Sequence, residues 1–228
     1  LDLEKDVAKE RLIKKNDLKP GEIMTDVAFQ DKYRSDIESQ LILFLDSEEP
    51  VTSQLEFDFP KTYPYAPPKL TYLTNNGKTR FNPNLYRNGK VCVSILNTWR
   101  GPGWTSCMSI RTVLITLVTL FHNKPLLNEP GITEKHHAFD SYNKIIQYRN
   151  FDTAIRNVMI KKLLPTNFIP LWPLIKRHFE RNKDEIIKKI NFLCKNEPKT
   201  NTYKAGIYGM TCTVDYNFIK THINDAYK

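Results

Sequence analysis

Apolar and polar positions alternate most cleanly at Gln54–Phe59. Leu55, Phe57 and Phe59 fall on one face, Glu56 and Asp58 on the other. Period two over that length predicts a half-buried antiparallel strand. The apolar run QLILFLD, Gln40–Asp46, bounded by the turn-rich DSEEP, predicts a strand before it, and Lys69–Leu73 a strand after it. A meander of this kind must cover its apolar face with helices, the α+β arrangement. Helical spacing appears elsewhere. Leu3, Val7 and Leu12 mark an amphipathic helix over Leu3–Lys15, stopped by Pro20-Gly21. Ile110–Phe121 predicts a buried helix, with Ile110, Val113, Leu114, Leu117, Val118 and Phe121 facing inward. Further helices are expected over about Tyr142–Leu163 and Leu171–Lys195, separated by Pro165, Pro170 and Pro173. Residues 196–228 carry no pattern that assigns an element.

Between the second and third strands lies PKTYPYAPPKL, whose prolines forbid a regular ladder and stiffen the chain. This loop, with Tyr63 and Tyr65 on it, is either a recognition surface or a packed turn. Phe81–Leu96 has no period. Asn88-Gly89 signals a tight turn, and the stretch reads as irregular chain leading through Cys92 into a short helical turn.

The chain has 228 residues, 40% of them hydrophobic, enough for one full domain and an extension. No apolar run approaches the ~18 residues of a membrane span, and the first residues, LDLEKDVAKE, lack the order of a secretory signal. Cys92, Cys107, Cys194 and Cys212 lie far apart with no CxxC or Cys/His cluster. That opposes a zinc site and suits a reducing compartment, cytosol or nucleus. The net charge of +9 is scattered along helices such as KRHFERNKDEIIKK, the pattern of solvated faces. No basic block with stacking aromatics appears, so specific nucleic-acid binding is not expected.

Cys92 is then the residue to explain. A cysteine hydrolase needs a base, usually histidine, in hydrogen-bond reach. His136-His137 is the available pair, but on a polar helix start it reads as surface. Transthiolation needs no such base. A thioester arriving already activated passes to a cysteine almost isoenergetically, given thiolate and positioning. Transfer onward to an amine needs a donor for the oxyanion, which an asparagine can supply, and a polar or acidic group for the amine. The plain alternative is a small buried apolar residue.

The motifs YPYAPPKL and FNPNLYRNGKVCVSIL, with Trp104 beyond them, resemble those of ubiquitin-conjugating (E2) enzymes. Their order matches too: a proline-rich loop, an aromatic-x-Pro-Asn motif, then Cys92 eight residues after Asn84. Most E2s have His-Pro-Asn where this chain has Asn82-Pro83-Asn84. A subgroup of larger E2s is more similar, sharing Asn-Pro-Asn, the run Leu85–Cys92, a Thr-Trp-x-Gly-Pro-x-Trp insertion (Thr98–Trp104) and Asn-Glu-Pro-Gly (Asn128–Gly131). The specific match covers about residues 54–131. A looser one runs through Tyr142-Asn143 and Asp152–Arg156.

This resemblance implies an E2 (UBC-like) fold over residues 1–165 and a helical extension over 166–228 packed on it. It implies a thioester on Cys92 with the C-terminal glycine of ubiquitin or a ubiquitin-like modifier. Asn84 would donate to the oxyanion, Asn128 and Glu129 would form the gate where the lysine enters, and Tyr65 and Trp104 would meet the E1 activating enzyme and E3 ligase. A protein substrate would be the acceptor, with no metal or small-molecule cofactor. There are departures. Ser94 stands where E2s often have Asp. Thr105-Ser106-Cys107 replaces Ser-Pro-Ala, which puts common RING ligases in question. DSEEPVTSQ replaces the usual Tyr-Glu-Gly-Gly hairpin. The rival from another class is a catalytically silent E2-like binding module, which Cys92 and Asn84 argue against. A basic nucleic-acid binder is the second rival.

Overall fold

The computed structural model describes residues 40–45 and 53–227. The helix expected over Leu3–Lys15 and most of DSEEPVTSQ lie outside the described residues. Strands β1 (Gln40–Leu45), β2 (Ser53–Asp58) and β3 (Lys69–Tyr72) form an antiparallel meander in that order. Phe57 pairs with Leu70, and Leu55 with Tyr72. The expected alternation holds: Leu55 and Phe57 are fully buried, while Glu56 and Asp58 are half-buried. Register is fixed by this face, because a slip of one residue would turn both apolar side chains to water. At the start of β2 the Gln54 N–H donates to the Thr74 hydroxyl at 2.6 Å, closing the ladder beyond β3.

Helix α1 (Ile110–Leu120) buries Ile110, Val113, Leu114 and Leu117, the i, i+3, i+4, i+7 stripe its spacing predicts. Val118, expected on that stripe, is 49% exposed. At 100° per residue it stands at the edge of the stripe rather than its centre, and the core does not reach round to it. Helix α2 (Phe139–Arg149) buries Phe139, Tyr142, Ile145, Ile146 and Tyr148. Its continuation is not α-helical as expected. Asn150–Arg156 is a π-helical stretch, followed by a single α turn, Asn157–Met159. The widened stretch brings Asp152 between Arg149 Nη1 at 2.8 Å and Arg156 Nε at 3.0 Å. A carboxylate that is only 7% exposed thus has two cationic partners, the condition for burying it.

The helix expected over Leu171–Lys195 is two: α3 (Trp172–Arg181) and α4 (Lys183–Asn196). Asn182 makes the break. Its Nδ2 donates to the His178 carbonyl at 3.0 Å, a local bond that competes with continuing the helix. Residues 196–228, which showed no pattern, form a hairpin and a helix. β4 (Asn201–Ala205) pairs antiparallel with β5 (Met210–Val214), and α5 (Tyr216–Ala226) follows, capped by the Asp215 carboxylate accepting from Phe218 N–H at 2.9 Å. Met210, Cys212 and Val214 point inward from β5, and Ile219 and Ile223 from α5. Each such side chain contributes roughly 1.5–3 kcal/mol of burial. Sheet, helices and hairpin share one hydrophobic core. The hairpin lies against α2, which brings its turn toward the loops around Cys92. Among the described residues no helix is long and apolar enough to cross a membrane.

Candidate active site

Cys92 lies beyond a small hairpin built by Tyr86–Lys90. Tyr86 N–H donates to the Lys90 carbonyl and Gly89 N–H to the Tyr86 carbonyl, both at 2.9 Å. Gly89 has φ +86, and a Cβ there would come within 3.0 Å of both the Tyr72 carbonyl and Thr71 Cγ2. Only glycine lets this turn sit on the edge of β3. There the Tyr72 N–H donates to the Gly89 carbonyl at 2.8 Å.

The turn delivers Cys92 opposite Asn84, and the two residues exchange bonds. Cys92 N–H donates to the Asn84 carbonyl at 2.8 Å, and Asn84 Nδ2 donates to the Cys92 carbonyl at 2.7 Å. Asn84 Oδ1 is buried with no donor among the described residues. Behind the cysteine, the Thr98 hydroxyl sits 2.8 Å from the Val91 carbonyl and 3.0 Å from that of Val93, and accepts from Val93 N–H at 3.0 Å. The backbone is therefore held on both flanks of Cys92, which is 2% exposed. It floors an open cleft of about 260 Å³ lined by Pro83, Asn84, Trp99, Asn128, Glu129 and Pro130.

The second wall is the turn Pro125–Asn128 with Glu129 and Pro130. Asn128 Nδ2 donates to the Leu120 carbonyl at 2.9 Å and to Asn82 Oδ1 at 3.3 Å. His122 fixes the other end of this amide. Its Nδ1 accepts from Lys124 N–H at 3.2 Å, so Nε2 carries the proton and donates to Asn128 Oδ1, also at 3.2 Å. Glu129 takes a short hydrogen bond from the Tyr208 phenol, which reaches it from the β4–β5 turn.

Asn82 joins the walls. Its Oδ1 accepts from Asn84 N–H at 3.0 Å on one side and from Asn128 on the other, and its Nδ2 donates to the Leu120 carbonyl at 2.9 Å. A carboxamide offers an acceptor and a donor at one place, and this 2%-exposed site uses both. The residue that looked like a departure at the sequence level is thus the pin between the two walls.

The structure brings Cys92, Asn84, Asn128 and Glu129 to one cleft. Tyr65 and Trp104 meet on the proline loop but differ in burial. Tyr65 is 83% exposed on the proline loop. Trp104 is buried, its Nε1 donating to the Pro64 carbonyl at 2.6 Å and its ring 6.0 Å from Tyr63. Trp104 therefore acts on the proline loop from inside, holding it in shape. His136 and His137 stack on each other at the start of α2 and do not line the cleft. Sequence reasoning did not single out His122, Tyr208 or Arg80. His122 lies only six residues from Asn128 and was within reach of a closer look. Tyr208 lies 79 residues from Glu129, and no spacing rule links them.

A cysteine, a paired asparagine and a facing loop on an α+β scaffold are the arrangement that the resemblance to E2 enzymes implies. The family model described as "Ubiquitin-conjugating enzyme" matches residues 50–157, so this stretch of the chain is similar to the conjugating domain of that family. Among its relatives is "Ubiquitin-conjugating enzyme E2 Z" of Danio rerio, 40% identical over 126 residues, which are 54% of this chain and 38% of that protein. The Homo sapiens protein of the same name is 44% identical over 106 residues, 45% of this chain and 30% of its own length. "Probable ubiquitin-conjugating enzyme protein 17" of Caenorhabditis elegans is 35% identical over 173 residues, 70% of this chain and 23% of that one. The chain thus spans well under half the length of these relatives.

Proposed function

We propose that this chain accepts ubiquitin, or a ubiquitin-like modifier, from an E1 activating enzyme as a thioester on Cys92, and passes it to a substrate lysine or to an E3 ligase. The observation that carries the reading is the juxtaposition in one cleft of Cys92, its bonded partner Asn84, and the opposing Asn128 and Glu129. In the first step the Cys92 thiolate attacks the E1 thioester, a new C–S bond forms, and the E1 thiol leaves. In the second, a lysine amine attacks the same carbonyl. Of the two hydrogens on Asn84 Nδ2, one is engaged by the Cys92 carbonyl, and the other is available to the oxyanion. The Asn128–Glu129 gate receives the lysine. The proline loop with exposed Tyr65 is the docking face for E1 and E3, shaped by Trp104 beneath it. The reading puts this chemistry in the cytosol or nucleus, and the free cysteines Cys92, Cys107, Cys194 and Cys212 support it.

A charging assay tests this. The protein is incubated with ATP, ubiquitin or another modifier, and each of several E1 enzymes, then run without reductant. The expected product is a reductant-sensitive adduct that is absent in Cys92→Ala and reductant-resistant in Cys92→Ser. No adduct with any E1, from folded protein, returns the reading to a silent E2-like binding module.

A further inference from the structure

The β4–β5 turn reaches back across the molecule to the cleft. Gly206–Tyr208 forms one tight helical turn, closed by Gly209 at φ +58. That left-handed residue starts β5 and leaves Tyr208 at the tip, where glycine carries the backbone at least strain. Tyr208 is then held from three directions. Its carbonyl accepts from the Arg87 guanidinium. Its ring lies 5.7 Å from that of Tyr142 and under the Arg80 guanidinium, whose carbon is 5.2 Å from the ring centre. Its phenol donates to Glu129 Oε2.

Arg80 ties the same group to the thiol wall. It stacks 3.4 Å from the centre of the Tyr86 ring, and its Nε and Nη2 donate to the Asn82 and Pro83 carbonyls at 3.2 and 2.5 Å. The Tyr142 hydroxyl donates to the Arg80 carbonyl at 2.7 Å, and Arg80 N–H meets Met210 Sδ at 3.3 Å. Burial, and then the Glu129 carboxylate, push the Tyr208 phenol well above its ordinary value, so it stays a donor across the working range. Glu129 also lines the cleft with Cys92. One of its oxygens is taken by Tyr208, which leaves Oε1 for an incoming amine.

We infer that Tyr208, at the tip of the C-terminal hairpin, is a positioning residue for the lysine-transfer step, holding the Glu129 carboxylate at the gate. This rests on the proposed conjugating activity. The step it serves balances simply. The incoming lysine ammonium gives one proton to Glu129, and its nitrogen attacks the Cys92 thioester. The C–N bond forms, the C–S bond breaks, and the second proton goes to the departing sulfur. A carboxylate left free to rotate spends less time where that first proton must go.

Tyr208→Phe is the test, since it removes the phenol and keeps the ring on Tyr142 and Arg80. Charged protein is separated from E1, and two single-turnover discharges are compared: to free lysine, which arrives as an ammonium, and to hydroxylamine, which is already neutral at pH 7. The ratio of lysine to hydroxylamine rates is expected to fall about 10-fold in Tyr208→Phe, and Tyr208→Phe is expected to add little in a Glu129→Gln background. An unchanged ratio overturns the inference, because a general loosening slows both nucleophiles alike. Additive effects in the double variant overturn it too. If the wild-type chain takes no modifier on Cys92, the activity itself fails and this inference falls with it.

Discussion

The two walls of the cleft are built in different ways. The thiol wall is local: Asn84 and Cys92 bond to each other across eight residues, and Thr98, six residues on, braces the backbone at Val91 and Val93. The gate wall adds remote partners to local ones: besides Leu120 and His122 nearby, Asn128 is held by Asn82, 46 residues back, and Glu129 by Tyr208, 79 residues ahead. The half that holds the proposed nucleophile is thus specified by one contiguous motif. The half proposed to receive the acceptor draws on three distant parts of the chain. Thioester formation and lysine transfer should therefore be separable by mutation, and the variants below press on that separation.

The largest effect is expected at the nucleophile itself. Cys92→Ala abolishes the adduct on a non-reducing gel, whatever the state of the gate. Asn84→Ala comes next. Loss of an oxyanion donor costs on the order of 10²-fold or more, read as slower discharge of the charged protein to lysine. A matching loss in charging would show that Asn84 serves only to order the thiol wall. Gly89→Ala attacks the local wall through its scaffold. A methyl at φ +86, 3.0 Å from the Tyr72 carbonyl, should destabilise the protein by about 1–3 kcal/mol. Thermal unfolding would report a lowered Tm, and an unchanged Tm would mean the Tyr86–Lys90 turn relaxes freely. Asn82→Ala strikes the pin between the walls. It leaves Asn84 N–H and part of the Asn128 amide without their acceptor, a loss of about 1–3 kcal/mol. It should slow both steps, and an effect confined to one of them would break the comparison. The smallest change is expected from His122→Ala, which frees one end of the half-buried Asn128 amide, about 0.5–1 kcal/mol. It should appear as slower lysine discharge with a Tm lowered by only about 1–4 °C.

Much of this was legible in the residues. The alternation at Leu55 and Phe57 announced the buried face of β2, and Asn88-Gly89 announced the turn within Tyr86–Lys90. The resemblance to E2 enzymes implied one site for Asn84, Cys92, Asn128 and Glu129, and the structure does bring them to one cleft. The misses have physical causes. MTCTV over Met210–Val214 alternates with period two, but five residues after an unpatterned turn is a weak signal. The break at Asn182 and the widening at Asn150–Arg156 come from a side chain returning to its own backbone and from an ion triad, and hydrophobic spacing reports neither. Tyr65 and Trp104 looked equivalent, as aromatics on loops. Their difference lies in one carbonyl, that of Pro64, which the indole reaches inside the fold. Tyr208 was invisible because its partner is chosen by topology alone.

The separation of 79 residues between Glu129 and Tyr208 also has a meaning in time. A ribosome adds roughly 5–20 residues per second, so the gate glutamate emerges several seconds before the tyrosine that holds it. Cys92 and Asn84, eight residues apart, emerge almost together. During synthesis the nucleophile's side of the site can close while the acceptor's side still waits for its last contact. The cleft is complete only once the hairpin that carries Tyr208 has been made.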